Sequence, residues 1–113
     1  MANIFKVDTK SSLTNSAITD AAAVVVTAGG SATLVLLSIL VSNKTGLSAD
    51  VDVYIQTNTG DDIYLIRNAP VPTGSSLEII SGSKIILESS DLLRARASTA
   101  TSLDIAVSYL EQT

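Results

Sequence analysis

The fold is decided by residues 75–110, which read SSLEIISGSKIILESSDLLRARASTATSLDIAVSYL. Apolar side chains take every second position in short runs, the longest being Leu103, Ile105, Val107 and Tyr109. Successive side chains of a β-strand point to opposite faces, so this alternation is typical of an antiparallel sheet with one packed face and one face in water. The stretch therefore predicts an all-β fold.

Composition limits the chemistry that the chain can perform. Its 113 residues fit one domain, and they include no histidine, cysteine or tryptophan, only three tyrosines and one phenylalanine. Without histidine or cysteine, general-base work near neutral pH would fall to a carboxylate or a lysine with a strongly shifted pKa, so we expect no enzyme and no cofactor. The net charge is −4, and seven scattered basic residues form no stripe that would follow a phosphate backbone. We therefore expect no nucleic-acid partner.

Eight strand-like runs separated by turn residues predict a single antiparallel β-sandwich or jelly-roll-like domain over residues 21–113. Residues 1–20 are polar and predict an extended N-terminal arm, part of which Ile4 and Val7 could anchor as a short strand. Pro70 and Pro72 remove two ladder donors and predict a crossing from one sheet to the other. The predicted strands are residues 22–27, 32–42, 49–57, 62–68, 76–81, 84–88, 92–98 and 102–110.

One uncharged segment is long enough to span a bilayer as a helix. No charged residue lies between Asp20 and Lys44. We favour two strands joined by a hairpin turn, because Gly29 and Gly30 interrupt the segment and both flanking runs are rich in β-branched residues. Neither end carries the aromatic belt or basic cluster that marks a membrane boundary, so we expect no membrane partner.

The predicted strand at residues 32–42 is apolar on both faces. A sandwich covers each strand on one face only, so the second face requires another subunit or the arm, unless the strand is buried within the monomer. We take Val35, Leu37, Ile39 and Val41 as the core face. The outer faces of this and other strands then supply the candidate interface residues Leu34, Leu36, Leu40, Ile66, Ile80, Ile86 and Leu110.

Two further features have both a functional and a plain interpretation. Arg94 and Arg96 point to one face, either as an anchor for an acidic partner or as a solvated stripe. A hairpin would bring the acidic pair Asp50 and Asp52 near Asp61 and Asp62, which suggests a calcium site or, with Tyr54 and Tyr64, a sugar platform. The first acidic pair also alternates with apolar residues, as the wet face of a strand does, so the plain interpretation stays open.

The stretch APVPTGSSLEIISGSKIIL (residues 69–87), followed by DLLRARAS (91–98) and SLDIAVSYLE (102–111), resembles small virion proteins of tailed phages, particularly marine and cyanobacterial ones. The likeness is a pattern of strands and turns over roughly the last 80 residues. It implies a β-sandwich structural protein of the virus particle. It assigns no role to any residue, and it does not say where on the particle the protein lies.

This resemblance, the compact β-domain and the polar arm lead us to expect a capsid decoration (cement) protein. Such a protein would act without catalysis, binding as a homotrimer to the major capsid protein or other virion proteins and stabilising the head. It would lie on the capsid surface of the virion after assembly in the host cytoplasm. The alternatives are a tail, neck or fibre component of the virion and a carbohydrate- or receptor-binding module.

Overall fold

The computed structural model describes residues 3–15, 23–80, 84–99 and 101–113, which form strands and turns without an α-helix. Each of the eight predicted runs contains a strand. A ninth strand lies in the predicted N-terminal arm. The strands are β1 (Asn3–Lys10), β2 (Val24–Thr27), β3 (Thr33–Asn43), β4 (Ala49–Gln56), β5 (Asp62–Val71), β6 (Ser76–Glu78), β7 (Ile85–Leu87), β8 (Leu92–Ala97) and β9 (Leu103–Gln112).

The strands form two antiparallel sheets that pack face to face. Sheet A has five strands in the order β1-β9-β3, with the short strands β6 and β7 both pairing with the far side of β3. Sheet B has four strands in the order β2-β8-β4-β5. The prediction of an all-β sandwich is confirmed.

The core lies between the sheets and is built almost entirely from aliphatic side chains. Alternate residues of β9, from Leu103 to Tyr109, are buried, as the alternation in the sequence predicts. Sheet B contributes Val51, Val53 and Leu93, which are fully buried. Burying apolar surface stabilises a protein by about 25 cal/mol for each Å², so this layer is the main source of stability.

A bulge in β3 reverses the predicted faces of that strand over half its length. Along β9, Leu36 pairs with Tyr109 but Ser38 pairs with Ser108, so Leu37 is an extra residue in the ladder. A single extra residue shifts every following side chain to the other face. Buried positions are therefore Leu34 and Leu36 before the bulge and Ile39 and Val41 after it.

The prediction that Leu34 and Leu36 lie on an outer face is accordingly wrong. Both side chains have 0% exposure and belong to the core between the sheets. The predicted core residues Val35 and Leu37 are only half-buried, and Leu40 is exposed as expected. The second apolar face of this strand exists, but different residues form it.

Residues 3–10 were predicted to belong to an arm, and the structure places them in sheet A. Strand β1 pairs with β9 over its full length, from Asn3 opposite Gln112 to Lys10 opposite Ile105. The chain then enters the core at Leu13, which is fully buried and donates its backbone N–H to the carbonyl of Leu103 at 2.7 Å. Residues 16–20 of the predicted arm lie outside the described residues.

Two connections between the sheets fall where turn residues cluster. Strand β2 belongs to sheet B and β3 to sheet A, so the glycine-containing segment 28–32 crosses between sheets instead of forming the predicted hairpin. Strand β5 ends at the edge of sheet B, with Pro70 opposite Asp50, and β6 belongs to sheet A. The predicted crossing at the prolines is thus confirmed. No helix in the described parts of the chain is long and apolar enough to cross a membrane.

Candidate functional site

The outer face of sheet A carries a row of apolar side chains that crosses four strands. Phe5 in β1 pairs with Leu110 in β9, Leu110 pairs with Val35 in β3, and Val35 pairs with Ile86 in β7. Residues directly opposite one another in a sheet share a face, so these four side chains stand side by side. Phe5 is 77% exposed and Ile86 is 58% exposed, which means that both ends of the row are open to solvent.

Three more apolar residues widen this row on the same face. Val7 is 59% exposed and Leu40 is 42% exposed, while Leu37, the extra residue of the bulge, is half-buried. A shallow depression beside the row is lined by Phe5, Val7, Leu37 and Ser108 among others. We name the whole surface the sheet A face and define it by Phe5, Val7, Val35, Leu37, Leu40, Ile86 and Leu110. Scattered exposed apolar residues are common, but a continuous row across four strands is typical of a surface that another molecule covers.

One end of the sheet A face is closed by a polar cluster around Asp104. The carboxylate Oδ1 accepts from Lys44 Nζ at 2.8 Å and from the backbone N–H of Ser12 at 2.7 Å, and Lys44 Nζ also donates to Ser12 Oγ at 2.7 Å. The hydrogen bond from Lys44 and that from Ser12 hold the pKa of Asp104 below its ordinary value. Because Ser12 lies two residues after the end of β1, the cluster fixes the end of that strand against β9.

Strand β1 is also fixed from within the sheet. Tyr109 donates its hydroxyl proton to Asp8 Oδ2 at 3.0 Å, and Lys6 Nζ forms an ion pair with Glu111 Oε1 at 3.0 Å. Burial, followed by the hydrogen bond to Asp8, raises the pKa of Tyr109 to about 12. These contacts hold Phe5 and Val7 in place at the open edge of the sheet A face.

The outer face of sheet B is polar, and its charged groups bind one another. Arg96 Nη1 donates to Asp52 Oδ2 at 3.2 Å, and Arg96 Nη2 donates to the carbonyl of Asn15 at 3.0 Å. The other oxygen of Asp52 accepts the backbone N–H of Asn68 at 2.6 Å. Asp52 is only 7% exposed and Arg94 only 9% exposed. Sequence reasoning offered Arg94 and Arg96 as an anchor for an acidic partner, and the structure places both in contacts within the chain.

An aromatic pair lies on the same face of sheet B. The rings of Tyr54 and Tyr64 stack at 5.3 Å between centroids with 23° between their planes, and the Arg67 guanidinium lies over the Tyr64 ring at 5.2 Å. Tyr54 is almost fully buried beneath this arrangement, and burial raises its pKa, with the nearby Arg94 acting in the opposite direction. Groups of the same chain therefore compete with any sugar for the faces of the exposed Tyr64 ring.

The predicted cluster of four acidic residues is not assembled. In the β4–β5 hairpin Asp50 lies opposite Pro70, whereas Asp62 lies opposite Gln56 near the turn. Asp50 and Asp52 are therefore at the opposite end of the hairpin from Asp61 and Asp62, because antiparallel pairing places residues of similar sequence distance from the turn together. No group of three or more acidic side chains that could hold a metal ion occurs in the described residues.

The chain matches no protein-family model, and comparisons with curated proteins and with solved structures find no significant match. Inference about function therefore rests on the surfaces of the sandwich and on the sequence pattern.

The nine candidate interface residues are divided among four locations. Leu40, Ile86 and Leu110 lie on the sheet A face. Leu34, Leu36 and Ile80 lie in the core, which corrects the prediction for all three. Ile66 is half-buried against the core from β5, and the two arginines lie on sheet B.

Sequence reasoning missed Phe5, Val7, Val35 and Leu37 as members of the sheet A face. The first two were detectable, because Phe5 and Val7 alternate with Lys6 and Asp8 as side chains of a half-exposed strand do. Val35 and Leu37 were assigned to the core because nothing in residues 32–42 signals the bulge that changes their face.

Proposed function

We propose that this protein is a non-enzymatic structural protein of a phage virion, and that it decorates the capsid by binding the head shell through the sheet A face. The observation that carries this proposal is the apolar row from Phe5 through Leu110 and Val35 to Ile86, which lies on a regular sheet. A flat apolar surface with a polar border suits binding to another protein surface better than binding a small molecule, which favours a concave site.

The outer faces of the two sheets differ in how far their side chains are already engaged, and this difference supports a binding role for sheet A. On sheet B several charged and aromatic groups are engaged with one another, as in the ion pair of Asp52 and Arg96 and the stacked rings of Tyr54 and Tyr64. On sheet A the large side chains Phe5, Val7 and Ile86 are each more than half exposed. Covering such side chains releases about 25 cal/mol for each Å² of apolar surface removed from water, so the sheet A face is where association is favoured.

The virion assignment rests on the sequence pattern that resembles small phage proteins, with the head shell as the proposed partner and the virion as the location. Labelling intact particles of the encoding phage with antibodies to this protein tests it directly. Signal over the head supports decoration. Signal confined to the tail, neck or fibres replaces decoration with the second virion role, and absence of signal from purified particles contradicts both.

A carbohydrate-binding module is the second candidate class, and it depends on Tyr64. Tyr64 is 40% exposed, but its ring already stacks on Tyr54 and lies beneath Arg67. Because the two acidic pairs lie apart, the calcium site suggested by the sequence is not formed beside Tyr64. A glycan array probed with and without a chelator distinguishes the classes, since specific glycan binding that Tyr64→Ala abolishes would favour the module.

A further inference from the structure

Strand β1 is a long, regular sheet edge, and charged side chains are its only protection against pairing with another chain. It has eight residues, contains neither proline nor glycine, and pairs with β9 without any register shift. Among the described residues β9 is its only strand partner, so its other edge presents backbone donors and acceptors. Natural sandwiches commonly protect such edges with prolines, bulges, very short strands or charged side chains. Strand β1 has only the last of these, in Lys6, Asp8 and Lys10.

The two edges of sheet B show what that protection looks like in the same molecule. Strand β2 has only four residues and a register shift between Val24 and Val26. Strand β5 contains Pro70 and pairs with β4 through two register shifts. Only β1 combines length, regular geometry and an absence of breaking residues among these edges. An edge of this kind accepts a further β-strand.

A second copy of β1 fits this edge in one register better than in any other. A two-fold axis normal to the sheet keeps the outer faces of the two copies on the same side. Odd-numbered residues must then oppose odd-numbered residues of the second copy, and even-numbered residues must oppose even-numbered ones. Two such registers pair seven residues of each copy, with the axis at Lys6 or at Val7. An axis at Lys6 places two lysine side chains against each other, which is unfavourable.

The axis at Val7 makes the strand complementary to itself. Lys6 then lies opposite Asp8 of the second copy, and Asp8 opposite Lys6 of the second copy, so that two ion pairs form across the seam. On the other side of the sheet Val7 meets its own symmetry mate and Phe5 lies opposite Thr9 of the second copy. Lys6 and Asp8 keep their present partners, Glu111 and Tyr109, because an ammonium has three donors and a carboxylate accepts several hydrogen bonds.

We propose that two copies of this chain pair antiparallel through β1 about a two-fold axis at Val7, joining their A sheets into one continuous sheet. The two sheet A faces then lie on the same side and meet along Phe5 and Val7. This produces one apolar surface twice as wide, available to the same partner. The inference concerns the free protein and goes beyond the proposed virion role. It also differs from the trimer expected from the sequence, because a β1 seam joins two copies only.

Charge exchange tests both the seam and its register. Lys6→Glu alone places a glutamate against Asp8 of the second copy, and Asp8→Lys alone places a lysine against Lys6 of the second copy. Because the seam contains this pair of positions twice, a dimer of either variant has two repulsive contacts. An equimolar mixture restores both pairs. The introduced glutamate of one chain faces the introduced lysine of the other, and the unchanged Asp8 of the first chain faces the unchanged Lys6 of the second. We expect wild type to sediment as a dimer, each variant to dimerise at least about tenfold more weakly, and the mixture to recover dimers.

Circular dichroism of each variant checks that it folds, since both substitutions also alter contacts within the chain. A mixture that dimerises no better than its components overturns the proposal. So does wild type that sediments as a monomer or a trimer.

Cysteine cross-linking gives an independent readout, because the natural chain contains no cysteine. In the proposed register the two Val7 Cα atoms lie about 5 Å apart, within disulfide range. Val7→Cys should therefore cross-link under mild oxidation. Thr9→Cys is the matched control, exposed on the same face of β1 but roughly 14 Å from its mate. Equal cross-linking at both positions, or none at either, contradicts the proposed register.

Discussion

Leu36 and Leu37 are consecutive residues of β3 at a bulge in the sheet, and their side chains lie on opposite faces. Leu36 is fully buried in the core and pairs with Tyr109, whereas Leu37 is the extra residue that the ladder skips, and it lines the depression on the sheet A face with Val7. The alternation of residues 32–42 predicts the reverse assignment, with Leu37 inside and Leu36 outside. The bulge therefore decides which of the two can accept a charge.

Replacing each of these leucines by aspartate should give opposite results. Leu36→Asp buries an unpaired charge between the sheets and should unfold the domain, at a cost of several kcal/mol. Leu37→Asp places the carboxylate at the solvent side and should cost about 1 kcal/mol or less. Urea unfolding followed by circular dichroism measures both. A folded Leu36→Asp variant would show that the bulge is placed wrongly.

Ile86→Asp tests the proposed attachment to a phage head, which it should weaken while leaving the domain folded. Ile86 ends the apolar row on the strand farthest from β1, so its substitution leaves the proposed seam untouched. Loss of an exposed apolar contact and burial of a charge in the interface should reduce binding at least about tenfold. Co-sedimentation with purified heads that lack the protein measures the change.

Leu47→Asp is the matched control for the head-binding measurement. Leu47 is a more exposed apolar residue, at 77%, in the loop between β3 and β4, away from the row. This variant should bind heads like the wild type. Equal loss of binding in both variants would indicate general damage by the new charge, and unchanged binding by Ile86→Asp would remove the sheet A face from the proposal.

Asn43→Asp should destabilise the domain strongly although the two side chains have the same shape. Asn43 is 4% exposed, and its Nδ2 donates to the carbonyls of Leu47 and Val71 at 2.8 and 2.9 Å. A carboxylate cannot donate to either carbonyl, so we expect a loss of about 2–4 kcal/mol of unfolding free energy at neutral pH. The exposed Asn3→Asp is the control in the same urea titration and should change stability little. Equal effects at both sites would contradict the buried role of Asn43.

The domain should lose stability as the pH rises from 10 to 12. The pKa of Tyr109 is raised from its ordinary 10.0 to about 12 by burial and by the hydrogen bond to Asp8. In this window the unfolded chain releases the proton while the folded chain keeps it, so the stability contribution is fully present below pH 10 and declines above it.

Tyr109→Phe isolates this contribution. Tyr54, whose pKa burial also raises, acts in the same direction and remains in the variant. The difference in unfolding free energy between wild type and Tyr109→Phe should therefore shrink across the window. A difference that stays constant with pH would show that Tyr109 titrates alike in the folded and unfolded chains.

The sequence by itself determined the class of the fold and the position of eight of the nine strands in the described residues. Alternation along residues 103–109 is a local property, since a strand turns successive side chains to opposite faces whatever its neighbours are. The crossing at Pro70 and Pro72 was equally readable, because proline cannot donate to a ladder and is confined to edges and corners. The absence of histidine and cysteine restricted the chemistry in the same direct way.

Only the tertiary structure decided which residues face outward and which approach one another. The bulge at Leu37 arises from the pairing of β3 with β9, and one extra residue in that ladder moved Leu34 and Leu36 into the core. Strand β1 belongs to sheet A because it pairs with the edge of β9. Pairing register depends on both strands at once, so neither strand's own sequence specifies it.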